Sequence, residues 1–186
     1  MKPIRTLLAA LVLAASPALG SEIGDDGLHK PDWLRETFKD LREDLAEANQ
    51  DGKRLMILVE QRGCIYCKKM HEEVFPDPAI DALIRDSYFV IQMNLFGDVE
   101  VTDFDGTALP EKDMAARWGV MFTPTMIFLP EDVPEGKTAA EASVALMPGA
   151  FGKGTTKALL TWVKDHGYES GEHFQKYVAR TLGASN

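Results

Sequence analysis

Cysteine is scarce in this chain. Its 186 residues include two, Cys64 and Cys67, both within "RGCIYCKKM" at 62–70. So few cysteines exclude a framework of several disulfides, and they leave a closed four-ligand zinc site short of donors. A structural staple is a poor account of the pair too, because so small a ring removes little entropy from the unfolded chain. Long apolar runs are also missing. The run "LLAALVLAA" (7–15) is too short for a bilayer span, which takes roughly 20 residues, and no later stretch approaches that length. Basic clusters are absent, so nothing tracks a phosphate backbone and nucleic acid is not an expected partner. Neither internal repeats nor low-complexity tracts occur.

What is present begins with a short basic start, Lys2 and Arg5, ahead of that apolar run. "SPALG" then puts Ala18 and Gly20 at the small positions before Ser21. This is the anatomy of a cleaved secretory signal over residues 1–20, and it predicts an exported, soluble mature chain. Without those residues, 18 Lys+Arg face 29 Asp+Glu, a formal charge of −11. Such an acidic surface favours solubility and disfavours acidic partners.

Residues 21–30 are polar and read as a flexible lead. Leu34, Phe38, Leu41, Leu45 and Ala48 recur at helical spacing, which predicts a helix capped by Asp32 beside Pro31 and stopped at Gly52. "RLMILVE" (54–60) is a buried-strand pattern, and it runs straight into the cysteines. "KKMHEEVF" reads as helix until Pro76 ends it. Asp77 and Pro78 open a further helix through 86, and "YFVIQMNL" (88–95) is a strand. Asp105-Gly106 marks a turn in "FGDVEVTDFDGTALP", and "PEKDMAARWG" is a helix closed by Gly119. Strands at 125–130 and 144–147 flank a polar excursion, and the last full helix covers 154–167. Residues 168–186 read as an extension with an amphipathic turn or two through Phe174, Tyr177 and Val178. Strands separated by helices imply parallel crossovers, and two successive strands imply an antiparallel edge. The fold class is α/β, a mixed central sheet with helices on both faces.

In this order the chain resembles the thioredoxin superfamily. A buried strand runs into Cys64-Ile65-Tyr66-Cys67, a helix starts at that motif, "TPT" (123–125) opens a later strand, and Gly149 follows the last strand. The resemblance spans residues 30–167. "GCIYCKKMHEEVFPDPAI", "VTDFDG" and "RWGVMFTPT" are most similar to the SoxW-type thioredoxin-related proteins of bacterial sulfur oxidation. That resemblance implies a periplasmic thiol–disulfide oxidoreductase acting on protein thiols and disulfides, fed by a membrane reductase. It also implies no cofactor beyond the cysteines, and a cis Thr123-Pro124 bond whose backbone pairs with substrate. Two departures stand out. The dipeptide is Ile65-Tyr66 instead of Gly-Pro, and Leu58 takes the place of the buried acid six residues before the first cysteine.

The thiolate is the attacking species, and a helix N-terminus favours it through unpaired N–H groups and the helix dipole. Cys64 is therefore the expected nucleophile, and Cys67, one turn in, the resolving thiol. Ile65 and Tyr66 flank the sulfur and meet the partner, as do Thr123 and Pro124. Lys68 and Lys69 read as a solvated helix face. Glu60 shares strand parity with Leu58. It is either the proton acceptor for Cys67 or an acid turning to solvent where the strand exits. Gly149 is either a backbone wall of the groove or a turn glycine.

Two competing readings remain. Cys64, Cys67 and His71 have a C-x2-C-x3-H spacing, and two thiolates suit a Cu(I) carrier; otherwise His71 is a helix-surface residue. The alternative from another class is a thioredoxin-fold module that binds without turnover. Asp103 and Asp105 before Gly106 resemble a calcium loop, but Val101 and Lys112 fall where ligands are needed. Methionines 70, 93, 114, 121, 126 and 147 read as core, as do Trp118 and Trp162, while Trp33 reads as partly exposed.

Overall fold

In the computed structural model, which describes residues 21–183, a four-stranded sheet carries the chain's architecture. The expected signal at 1–20 lies outside the described residues, as do 184–186. The strands are β3 (Arg54–Glu60), β4 (Tyr88–Asn94), β7 (Thr125–Phe128) and β8 (Ala145–Pro148), in the order β4-β3-β7-β8. The β3 and β4 strands are parallel, while β7 runs antiparallel to both β3 and β8. The expected mixed sheet is thus present.

Strand periodicity sorts the core into two layers. Leu55, Ile57 and Val59 of β3, with Phe89, Ile91 and Met93 of β4, pack under α1 (Leu41–Gln50) and α4 (Glu111–Arg117). The alternate residues Met56, Leu58, Tyr88 and Val90 face α3 (Pro78–Ser87) and α6 (Lys153–Lys164). A small hairpin, β5 (Glu100–Thr102) with β6 (Ala108–Pro110), turns at Asp105-Gly106 as expected. Asp77 caps α3 by accepting from Ala79 N–H, with Pro78 in its first turn.

Several expectations need correction. The first helix starts at Leu41, not near Asp32, because Asp40 accepts from the N–H groups of Arg42 and Glu43. Lys39 before it has a left-handed backbone (φ 57°), which a helix running from 32 cannot contain. Leu34 and Arg35 instead lie beside β4, where Arg35 N–H donates to Val90 O at 2.8 Å, and Phe38 is fully exposed. The lead at 21–30 forms a hairpin, β1 (Glu22–Ile23) with β2 (His29–Lys30), and buries Leu28. Met121 is exposed, and Trp33 is buried. The polar excursion contains a short helix, α5 (Ala139–Ala142), and the tail forms a longer one than expected, α7 (Phe174–Gly183). No helix among the described residues is long and apolar enough to cross a membrane.

Candidate active site

The end of β3 delivers the cysteines. After Glu60 the chain turns through Gly63, whose φ of +71° suits glycine. Cys64 then caps α2 (Ile65–Lys69), its Sγ accepting from Cys67 N–H at 3.0 Å. This is the helix-terminal position expected for a nucleophile. Cys64 is half-buried and Cys67 is buried, and the two form a disulfide with Cα atoms 5.2 Å apart. Cys64 is thus the more exposed of the two cysteines. Lys68 and Lys69 are exposed, Lys68 lying 3.7 Å from Glu72.

Opposite the disulfide, the Thr123-Pro124 bond is cis. Thr123 Oγ1 donates to Cys64 Sγ at 3.3 Å, and Thr123 O lies 3.5 Å from the same sulfur. Two bonds pin this loop: Thr125 Oγ1 donates to Phe122 O, and Gly149 N–H donates to Pro124 O, both at 2.7 Å. Gly149 has φ +94°, so it is a turn glycine that also braces the proline. Around the sulfur, Ile65, Tyr66, Met121 and Phe122 are all exposed. Ile65 and Tyr66 lie between the cysteines, and Met121 and Phe122 immediately precede Thr123, which touches Cys64 Sγ.

Glu60 does not turn to solvent. It is 1% exposed, and its carboxylate accepts from His71 Nε2 (2.9 and 3.1 Å) and from Gln92 Nε2 (2.7 Å). His71 is not a surface residue either, at 2% exposure. Its ring stacks on His29 (centroids 4.5 Å apart, 14° between planes) and on Trp33, with the edge of Phe75 against it. Gln92 extends the chain of bonds, since its Oε1 accepts from Lys30 Nζ at 2.6 Å and its Nε2 donates to His29 O at 2.9 Å. Burial, and then the nearby His71, hold His29 below the usual imidazole range. Leu58 stays fully buried in the apolar layer.

The sequence reading missed His71, His29 and Gln92 as one cluster. Signals existed. His71 falls four residues after the buried Cys67, where helical spacing puts side chains on one face. After Lys69 the helix widens into a π-turn (Met70–Val74), with Phe75 N–H donating to Met70 O; such turns recur at functional sites. Of the C-x2-C-x3-H residues, the two cysteines are joined to each other and His71 is bonded to Glu60. Among the described residues no group of three or more His, Cys, Asp or Glu is placed to share a metal. Asp103 and Asp105 belong to the hairpin and bond Arg117.

A strand-delivered disulfide at a helix start, facing a cis-proline loop, defines a thioredoxin fold. The chain belongs to the thioredoxin-like domain family, whose model matches residues 41–150. Comparison with curated proteins finds no match. Among solved structures it is similar to a thioredoxin-fold protein from Helicobacter pylori, with a TM-score of 0.58 and 14% identity over 72% of this chain and 87% of that one. It is also similar to a thioredoxin from Thermus thermophilus, with a TM-score of 0.52 and 25% identity over 72% and 90%.

Proposed function

We propose that this protein is a thiol–disulfide oxidoreductase that exchanges the Cys64–Cys67 dithiol and disulfide with protein substrates. One observation carries the reading: a half-exposed Cys64 caps a helix over a buried Cys67 and faces the Thr123-Pro124 backbone. Reduced Cys64 attacks a substrate disulfide, giving a mixed disulfide. Cys67 then attacks Cys64 Sγ, closing the internal disulfide and releasing the substrate thiolate. Ile65, Tyr66, Met121 and Phe122 offer an apolar rim to the incoming chain, and the Thr123-Pro124 backbone offers it hydrogen bonds.

The working compartment in this proposal is the periplasm, reached through the signal at 1–20. The direction is reductive, with electrons from a membrane reductase, as the likeness to SoxW-type proteins suggests. No cofactor beyond the cysteine pair is required.

The test is a reduction potential measured against glutathione, joined to trapping. A value near −270 mV supports a reductase, and one near −120 mV makes the protein an oxidant. Cys67→Ala should freeze mixed disulfides that name the partners, and Cys64→Ala should trap none. If the purified protein does not cycle between dithiol and disulfide, the oxidoreductase reading fails. Stoichiometric copper on the reduced protein would then favour the carrier.

A further inference from the structure

The resolving step has a proton to dispose of, and the sheet layer behind Cys67 holds an unusual place to put it. Cys67 is 2% exposed, so bulk water is a poor acceptor for its thiol proton. A thiol in apolar surroundings is also harder to ionise. The position six residues before Cys64 carries no acid, because Leu58 fills it. Two residues on, and on the same face of β3, stands Glu60 with His71 bonded across both carboxylate oxygens. His71 lies one helical turn beyond Cys67, and residues so spaced have Cβ atoms about 6 Å apart.

We propose that the buried Glu60–His71 pair holds the proton that Cys67 gives up during resolution, with His71 as the member of the pair that sequence alone does not reveal. This deepens the proposed function and rests on it. The step balances as follows. The Cys67 S–H proton passes to the pair, the Cys67 thiolate attacks Cys64 Sγ, and the bond between Cys64 and the substrate sulfur breaks. The substrate sulfur leaves with the bonding electrons and takes a proton from solvent. The pair later returns its own proton to water, so the net change is one disulfide reduced and one formed.

The surroundings suit a group that gains and loses one proton. Glu60 accepts from two donors, His71 and Gln92, as an ionised carboxylate does. His29 stacks on His71, and burial favours its neutral form. Lys30 reaches the cluster only through Gln92, and it is held by Asp26 at 2.6 Å. Lys68 and Glu72 on the helix act on His29 with opposite signs. Trp33 and Phe75 close the remaining contacts with rings that do not titrate. Gln92 and Lys30 both line a cavity of about 500 Å³, and Gln92 is bonded directly to the carboxylate.

Stopped-flow reaction of the fully reduced protein with 5,5′-dithiobis(2-nitrobenzoate) separates the two steps. The first thionitrobenzoate is released by Cys64 attack and the second by Cys67 resolution. His71→Gln keeps an amide donor for Glu60 but cannot take a proton. It should slow the second phase about tenfold or more near pH 6.5 and leave the first within about twofold. The gap should narrow at alkaline pH, above the free-thiol range, where the Cys67 thiol ionises without an internal acceptor. Glu60→Gln should behave alike, and the double variant should be no slower than the slower single. Unchanged second phases in both variants would overturn the proposal, as would equal slowing of both phases at every pH. Should His71→Gln not fold, the wild-type profile decides. A pH step in the second phase that Glu60→Gln lacks supports the pair, and a lone thiol step refutes it. Release of one thionitrobenzoate per wild-type protein instead of two removes the oxidoreductase reading itself.

Discussion

Asp103 and Glu60 are equally buried acids on opposite sides of the sheet, and they are held by different chemistry. Asp103 is 0% exposed and accepts from Phe104 N–H, Ala139 N–H and Trp118 Nε1, each at 2.8 Å, and from Arg117 at 3.1 Å. None of these donors changes protonation near neutral pH. The carboxylate therefore acts as a fixed knot joining the β5–β6 hairpin, α4 and α5. Glu60 is held by an imidazole and an amide, and an imidazole, unlike the donors on Asp103, is a group able to exchange a proton. Burial alone does not separate a structural acid from a functional one. The donors do.

That contrast predicts opposite phenotypes. Asp103→Asn turns an amide NH2 toward Trp118 Nε1–H and leaves a buried donor unmatched. Urea unfolding should show a loss of about 3 kcal/mol, while both phases of the thionitrobenzoate reaction stay unchanged. A stable variant would mean that the knot is dispensable, and a slow one would mean that Asp103 reaches the cysteines.

Asp44 supplies the case without donors on one side. It is 4% exposed, and its Oδ2 has no hydrogen-bond partner among the described residues. Burial first, then Asp40, Glu47 and Glu43, push its carboxyl up to about 6, against one opposing bond from Thr37. The folded pKa lies above the unfolded value of 3.8. The folded state is therefore penalised once the acid ionises, and stability is lost as pH rises through about 6. Asp44→Asn should stabilise the protein on the order of 2 kcal/mol at pH 7.5, and the gain should vanish by about pH 4. A gain that does not depend on pH would place its origin in packing and not in charge.

Much of this architecture was legible in the sequence because apolar runs report burial directly. "RLMILVE" became β3 without adjustment, and Asp77-Pro78 opened α3. The cysteines and Thr123-Pro124 were likewise found from residue type and order. The start of the first helix was misread because Pro31-Asp32 imitates a cap, while the true cap is Asp40, set by the left-handed Lys39. The hairpin at 21–30 has strands of two residues each, too short for any periodicity. His71 was hidden by its charged neighbours Lys68, Lys69, Glu72 and Glu73, and its burial depends on β2 and Trp33 folding over it. Gln92 was visible only as one polar residue in phase with Tyr88 and Val90.

Glu60→Gln should cost less than Asp103→Asn, because Glu60 accepts from two side chains where Asp103 accepts from four donors, so fewer buried donors lose their acceptor. A loss of about 1 kcal/mol is expected in urea unfolding, beside the selective slowing of resolution. A larger loss with unaltered kinetics would make Glu60 a second structural knot and erase the contrast with Asp103.

The smallest effect belongs to Asp105, two residues from Asp103 and bonded to the same Arg117. Arg117 holds its carboxyl well below the usual carboxylate range, helped by the N–H of Thr107. A depressed folded pKa contributes stability that is present above the unfolded value and lost as pH falls. Yet this pair sits on the hairpin surface, where water and salt screen the attraction and exposed ion pairs contribute little. Asp105→Asn also keeps the acceptor oxygen that takes the Thr107 N–H at 3.0 Å. Its urea midpoint at pH 7 should match the wild type, and the match should hold in 0.05 M and 1 M salt. A salt-dependent loss would show that Arg117 works chiefly through Asp105, and would move part of the knot from the buried acid to the exposed one.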